Sequence, residues 1–178
     1  DTTWSRGLGD VYKRQIDVTA ILHNHYGDTS RMFTVGKPSV KSMNLINVTY
    51  ESLMKSIEIL KPGKKLGDIG HEIQTHVEKA GFSVVRDFCG HGIGDVFHQS
   101  PNVLHYGKKD TGPELQPGMT FTIEPMINAG KYEVKILNDG WTAVTKDKAL
   151  SAQFEHTVGI TDNGCLLYTS PSPRDQVV

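Results

Sequence analysis

Phe88-Cys89-Gly90-His91-Gly92-Ile93-Gly94 sets a single histidine between glycines, directly after the apolar run Gly81-Phe82-Ser83-Val84-Val85. A strand that ends in a glycine-flanked imidazole presents it at a backbone place where little else fits. Four carboxylates give this stretch its meaning. Asp17, Asp28, Glu124 and Glu155 all sit inside, or at the ends of, apolar β-like segments. Buried carboxylates are costly unless paired or bound to metal, and no Lys or Arg pattern offers four partners at matching positions. One neutral histidine with four carboxylates carries four negative charges, which two divalent cations would cancel. An oxygen-rich set with one nitrogen suits Mn, Fe, Co or Zn in a dinuclear site better than a structural zinc. Two such ions, roughly 3.5–4 Å apart, would activate a bridging water and polarise a carbonyl, so the reaction class is metal-assisted hydrolysis. Taken singly, each carboxylate also fits a turn or a surface strand position, Asp28 most easily because it follows a glycine.

The rest of the composition is consistent with an enzyme-like globular chain. It has 178 residues, enough for one domain with a real core. The hydrophobic fraction of 37% and charged fraction of 22% are ordinary for such a domain. A formal net charge of -1 gives no basic surplus for nucleic acid or anionic membranes. No apolar run approaches the roughly 20 residues of a membrane span, and no apolar signal-peptide core precedes the first strand. Two cysteines, Cys89 and Cys165, form no metal motif and no disulfide framework, so a reducing, cytoplasmic setting is expected. Cys89 reads as a small packing residue.

Taken in order, the chain is an α+β text. Ile16–Ala20 and Met32–Val35 read as two strands of a hairpin turning at His25-Tyr26-Gly27-Asp28. Ser39 is the expected N-cap of a helix whose apolar stripe is Val40, Met43, Ile46, Tyr50, Leu53, Ile57 and Leu60, stopped by Pro62-Gly63. A second helix carries Leu66, Ile69, Ile73, Val77 and Ala80, with Gly81 at its end. The two are expected to cover one side of a sheet, with His71 and His76 on the solvated side. Strands are then expected at Phe82–Val85 and Met119–Ile127, the latter an edge, or ended or kinked at Glu124 by Pro125. A hairpin follows, Lys131–Leu137 with Trp141–Thr145, turning at Asn138-Asp139-Gly140, and a last strand, Phe154–Thr161. On that strand His156 points away from Glu155. His23, His25 and His105 lie near turns and look uninvolved. Only His91 and His98 lie in the glycine-rich segment beside the carboxylates.

Four segments together resemble the type I methionine aminopeptidases. They are Ile16-Asp17-Val18-Thr19 with Gly27-Asp28-Thr29-Ser30, Cys89 to Gly94 with Phe97-His98, Pro117-Gly118-Met119-Thr120-Phe121-Thr122-Ile123-Glu124-Pro125-Met126, and Ser151-Ala152-Gln153-Phe154-Glu155-His156-Thr157. The resemblance runs from about residue 16 to 165 and includes all five presumed ligands. It implies an α+β pita-bread fold, a curved antiparallel sheet covered by helices, and an aminopeptidase that removes the initiator methionine by way of a dinuclear metal-activated hydroxide. It implies that Asp17 chelates one ion, that Asp28 and Glu155 bridge two, and that His91 and Glu124 complete the coordination of the second ion. It assigns proton transfer to Glu124, and contact with the peptide and its tetrahedral intermediate to His98. Phe97 and Trp141 would line the methionine slot. The implied cofactors are two divalent ions (Co, Mn, Fe or Zn). The implied partner is the N-terminal methionine of nascent chains, at the ribosome, with no nucleic acid and no membrane, for a monomeric parent in the cytoplasm. The short separation of Glu124 and Glu155 is unlike the type II enzymes, which carry a helical insertion there.

The pattern also has departures. The family's N-terminal half is largely missing, and Gln15 stands where Asn is usual. Residues 1–15 and 166–178 match no family segment and are expected to be a disordered leader and tail of foreign origin, flanking a partial catalytic domain at 16–165. Uncovered apolar faces would leave this length of chain poorly active. Two other functions fit the same residues: an Xaa-Pro aminopeptidase or prolidase of the same fold, though its usual Asp-x-Gly is Asp17-Val18-Thr19 here, and a non-catalytic binding module of that fold, which the retained ligand set argues against.

Overall fold

A computed structural model describes residues 13–168. The expectations for residues 1–12 and 169–178 lie outside that range. In chain order the elements are β1 (Lys13–Leu22), β2 (His25–Thr34), α1 (Val40–Glu58), α2 (Leu66–Lys79), β3 (Ser83–Val84), β4 (Gly90–Gly92), β5 (Gln99–Val103), β6 (Thr120–Ile123), β7 (Met126–Asn128), β8 (Val134–Ile136), β9 (Ala143–Thr145), β10 (Ser151–Gln153), β11 (Glu155–Ile160) and β12 (Cys165–Leu167). The main sheet runs β1-β2-β11-β6-β4-β5, with β12 also on β11. Its ladders are antiparallel throughout. A second sheet, β10-β7-β3, and a separate β8–β9 hairpin complete the fold. Among the described residues no helix is long and apolar enough to cross a membrane.

The first turn differs from the sequence expectation. The chain reverses at His23-Asn24, both at positive φ (48° and 61°), and Leu22 pairs with His25. A two-residue loop of that handedness matches the twist of the flanking strands, and Asn tolerates it. His25 to Asp28 therefore belong to a ten-residue strand rather than to a turn. β1 begins at Lys13, so Lys13 to Gln15 of the expected leader belong to it. At the other end Leu166 and Leu167 of the expected tail pair with β11.

Helix α1 is capped as expected, Ser39 Oγ accepting from Ser42 N at 3.1 Å. Its buried face is turned from the expected stripe. Ile46, Leu53 and Ile57 are inside, but Val40 is 88% exposed and Tyr50 is on the surface. Leu45, Val48, Thr49, Ser52 and Ser56 take their places. The cause is that α1 has neighbours on two sides, α2 on one and β7 and β10 on the other. Small hydroxyl residues are part of the buried face. Each bonds a carbonyl of its own helix, Thr49 to Leu45 O at 2.7 Å, Ser52 to Thr49 O at 2.8 Å and Ser56 to Leu53 O at 2.7 Å. Satisfied in this way, they are buried at little cost. Helix α2 buries Leu66, Ile69, Ile73 and Val77 as predicted, while Ala80 is exposed and Gly81 takes φ +79°. His76 reaches across to Glu51 of α1 at 3.2 Å.

The expected strand Met119–Ile127 is two strands in two sheets. β6 is interior, between β11 and β4, and ends at Ile123; β7 begins after Pro125 in the second sheet. Proline removes a ladder donor, so the chain leaves the first sheet there. The reverse passage occurs at Phe154, between β10 of the second sheet and β11 of the first. Phe121, Ile123, Ile127, Val158 and Val103 form the core between these layers.

Candidate metal centre

Strand register puts the predicted ligands on one face. Asp17 pairs with Ser30 and Thr19 with Asp28, so Asp17 and Asp28 are diagonal neighbours across β1 and β2. Glu155 pairs with the same Ser30, and Thr157 with Thr122 of β6. Glu124 follows two residues after Thr122, at the strand break. His91 N donates to Thr122 Oγ1 at 3.1 Å from β4. Glycines frame His91 because the adjoining backbones leave no room: a Cβ on Gly90 would run into Thr122 O, and one on Gly92 into Ser100 O.

Among the described residues three of the five predicted donors form one close group, while Asp17 is exposed on β1 and Glu124 lies beside the group rather than in it. One ligand atom each from Asp28, His91 and Glu155 lie within 4.8 Å of one another, and all three residues are buried. His91 Nε2 is 3.6 Å from Glu124 Oε1. The imidazole Nδ1 lies 3.0 Å from Gly92 O. A carbonyl only accepts, so Nδ1 carries the proton and Nε2 turns its lone pair to the carboxylates. Threonines hold the acids in place. Thr19 Oγ1 donates to Asp28 Oδ1 at 3.0 Å, and Thr122 Oγ1 to Glu124 Oε1 at 2.9 Å. Thr157 Oγ1 accepts from Asp28 N at 2.9 Å and donates to Asp28 O at 2.8 Å. Gln15 Nε2 donates to Gln153 Oε1 at 2.9 Å, and Gln153 Nε2 reaches Glu124 Oε2 at 3.4 Å.

The electrostatics call for a cation. Burial, and then the charge of Asp28, push the Asp17 carboxyl up to about 6. Burial foremost pushes Glu124 and Glu155 above the usual carboxylate range; for Glu155 the charges of Glu124, Asp28 and Asp17 add to it. Thr122 opposes the shift of Glu124, and Asp28 and Asp17 reinforce it. Among the described residues Glu155 Oε1 is buried with no hydrogen-bond partner. An orphaned oxygen beside three more acids and a free imidazole lone pair fits a divalent cation.

Above the acids lies a short ladder of rings. His98 is 4.2 Å from His91 and 3.9 Å from Phe97 between ring centroids, and Phe97 stacks on Tyr26 at 5.5 Å. Burial, then the neighbouring His91, lower the His98 pKa. Trp141 stands apart. It is 75% exposed at the turn of the β8–β9 hairpin, and among the described residues no ring contact joins it to His98 or Phe97. His156 faces the other side of β11, as expected, and burial holds its ring near a pKa of about 4.

The sequence reading passed over two kinds of residue. The threonines carry a signal that was available: Asp17/Thr19, Thr122/Glu124 and Glu155/Thr157 are each two apart, hence on one face of a strand. His105 is the other. It is 2% exposed, and its Nε2 accepts from Glu124 N at 3.1 Å. Burial pushes its ring down to about 3, so it is neutral and able to accept. Nothing local in Leu104-His105-Tyr106 announces that partner.

Residues 8–162 match the family model described as metallopeptidase family M24. That match begins within the expected leader. The chain is 55% identical over 169 residues to a methionine aminopeptidase of Rickettsia prowazekii (strain Madrid E), covering 94% of this chain and 64% of the relative. It is 55% identical over 161 residues to a methionine aminopeptidase of Escherichia coli (strain K12), covering 90% and 60%. The crystal structure of the Rickettsia prowazekii protein superposes with a TM-score of 0.87 at 56% identity, over 88% of this chain and 64% of that one. The chain thus spans a little under two thirds of these relatives.

Proposed function

The chain belongs to metallopeptidase family M24 and has its α+β pita-bread fold, and from that premise we propose that it is the catalytic part of a methionine aminopeptidase. The substrate is the N-terminal methionine of nascent proteins and peptides, met in the cytoplasm and at the ribosome, and the parent is a monomer. Asp17, Asp28, His91, Glu124 and Glu155 would hold two divalent ions, Co, Mn, Fe or Zn. The observation that carries the reading is the coincidence of 55% identity to methionine aminopeptidases with convergent donor atoms of Asp28, His91 and Glu155. The Xaa-Pro and binding-module readings have less support, because the sequence relatives are named methionine aminopeptidase and every ligand type is retained.

Bound divalent ions would supply the Lewis acidity that polarises a peptide carbonyl and makes water nucleophilic near neutral pH. The protein's own groups do the rest. His91 is fixed by its Nδ1 bond to Gly92 O, so its Nε2 cannot turn away. Glu124 is held on Oε1 by Thr122 and approached on Oε2 by Gln153. Its carboxylate takes a proton from the attacking water and returns it to the departing amine. Its raised pKa suits both halves of that transfer. His98, beside His91, offers a ring N–H to the oxyanion of the tetrahedral intermediate. Phe97 presents an aromatic wall to the thioether, and Trp141, exposed on its hairpin, would be the second.

The test is release of methionine from Met-Gly and Xaa-Pro peptides, by the chain and by a chimera carrying it in place of the matching part of the Rickettsia prowazekii relative. Expected is metal-dependent release from Met-Gly, lost on chelation. A folded chimera that releases no methionine, prefers Xaa-Pro or ignores chelator refutes the reading.

A further inference from the structure

Glu124 stands at an awkward place for a residue that must be aimed. β6 ends one residue before it, and Pro125 behind it has no N–H. Its own amide has left the ladder, and a buried orphan amide costs about 1–3 kcal/mol. His105 Nε2 accepts that amide at 3.1 Å, from a segment outside every helix and strand. Three contacts fix the segment. Helix α2 lies directly upon it: a Cβ on Gly70 would fall 2.5 Å from Tyr106 O and 2.7 Å from Leu104 O. Gln74 Oε1 accepts from Gly107 N at 3.0 Å. The Arg86 guanidinium sits 5.4 Å from the Tyr106 ring centroid.

We propose that His105 is a positioning residue for the metal centre: by accepting the Glu124 amide through Nε2, it sets the turn out of β6 and so directs the Glu124 carboxylate to the site shared with His91. The inference rests on the metallopeptidase reading of that site. Helix α2 and Gln74 thereby act on the centre through His105, without touching any ligand. A histidine that merely filled the core would make the same stability contribution but no specific demand on which ring nitrogen is replaced.

Three substitutions separate these roles, read by calorimetric titration of the full chain with Mn2+ and by thermal melting. The amide oxygen of H105Q falls near the place of Nε2, that of H105N near Nδ1, and H105L has none. Mn2+ affinity is expected to fall about 10–100-fold in H105L and H105N, and to recover toward wild type in H105Q. The proposal is overturned if folded H105N or H105L binds Mn2+ like wild type, or if H105Q binds as weakly as H105N. Should H105L and H105N not fold, Q74L decides: it loosens the segment from its far side, and unchanged Mn2+ affinity overturns the proposal. Wild-type chain that is folded and binds no Mn2+ sinks the metallopeptidase reading itself, and this inference with it.

Discussion

Replacing Glu155 by Gln should leave the metal-free protein nearly as stable as before and remove most of what a divalent ion adds. Glu155 is 2% exposed, and its Oε1 has no partner among the described residues. Burial and the surrounding acids raise its pKa far enough that, without a cation, it holds its proton at neutral pH. Glu155→Gln then exchanges one neutral group for another of the same shape, a change of about 1 kcal/mol or less. The ion behaves differently. At a free concentration 100 times its Kd it stabilises the folded state by about 2.7 kcal/mol, and for a domain of this size 1 kcal/mol moves Tm by about 2–4 °C. Wild type should therefore gain about 5–11 °C with Mn2+ over EDTA. A lost donor that weakens binding about 100-fold leaves the variant roughly 0.4 kcal/mol at the same concentration, or about 1 °C. Differential scanning calorimetry at pH 7.5 reads both numbers. A metal-free Tm lowered by the equivalent of about 3–5 kcal/mol would mean that Glu155 is ionised and paired without metal. An undiminished Mn2+ gain would mean that it is no ligand. Either result refutes the reasoning.

Two further outcomes follow from the same geometry. Because Asp17, Glu124 and Glu155 have folded pKa values above their unfolded ones, the metal-free fold binds protons more tightly than the unfolded chain. That stability is fully present below about pH 4 and is lost as pH rises through the folded values. The lowered values of His105 and His156 work the other way below about pH 6.5, so Tm in EDTA should fall between about pH 7 and pH 8 and be restored by Mn2+, and a flat or rising profile there would contradict it. Thr157→Val strips the hydroxyl that bonds both the N–H and the C=O of Asp28. It should cost about 1–3 kcal/mol in urea denaturation and weaken Mn2+ binding, with Thr157→Ser close to wild type; equal losses in Val and Ser would show that the methyl group, not the hydroxyl, matters.

Asp17, Glu124 and Glu155 stand out in the sequence as polar residues within apolar β-like segments, a local pattern that survives without knowing the register, and the structure brings Glu155 together with Asp28 and His91. What the sequence hid was contact-dependent. The stripe Val40, Met43, Tyr50 has sound helical spacing, yet α1 touches both α2 and the second sheet, and Ser52 and Ser56 are buried where Val40 and Tyr50 are not. Gly27-Asp28 has the composition of a turn, and only the pairing of β2 with β1 shows it to be strand. Pro125 marked the end of β6, but not that the chain would pass into a second sheet. His105 was beyond reach, since its partner Glu124 lies on another strand and no period links them.

β7 and β10 pair directly, and Ala129 N donates to Leu150 O at 2.8 Å just outside that ladder. The hairpin between them therefore leaves and re-enters the body of the protein at neighbouring points. For an engineer this is a splice site. Closing a loop costs only about 0.6 kcal/mol more for each doubling of its length, so a peptide tag or a small reporter domain inserted at Asp139-Gly140 should leave Glu124 and Glu155 undisturbed. A short turn joining Ala129 to Leu150 would instead delete Trp141 with the whole hairpin, while the paired strands keep Glu124 and Glu155 in register.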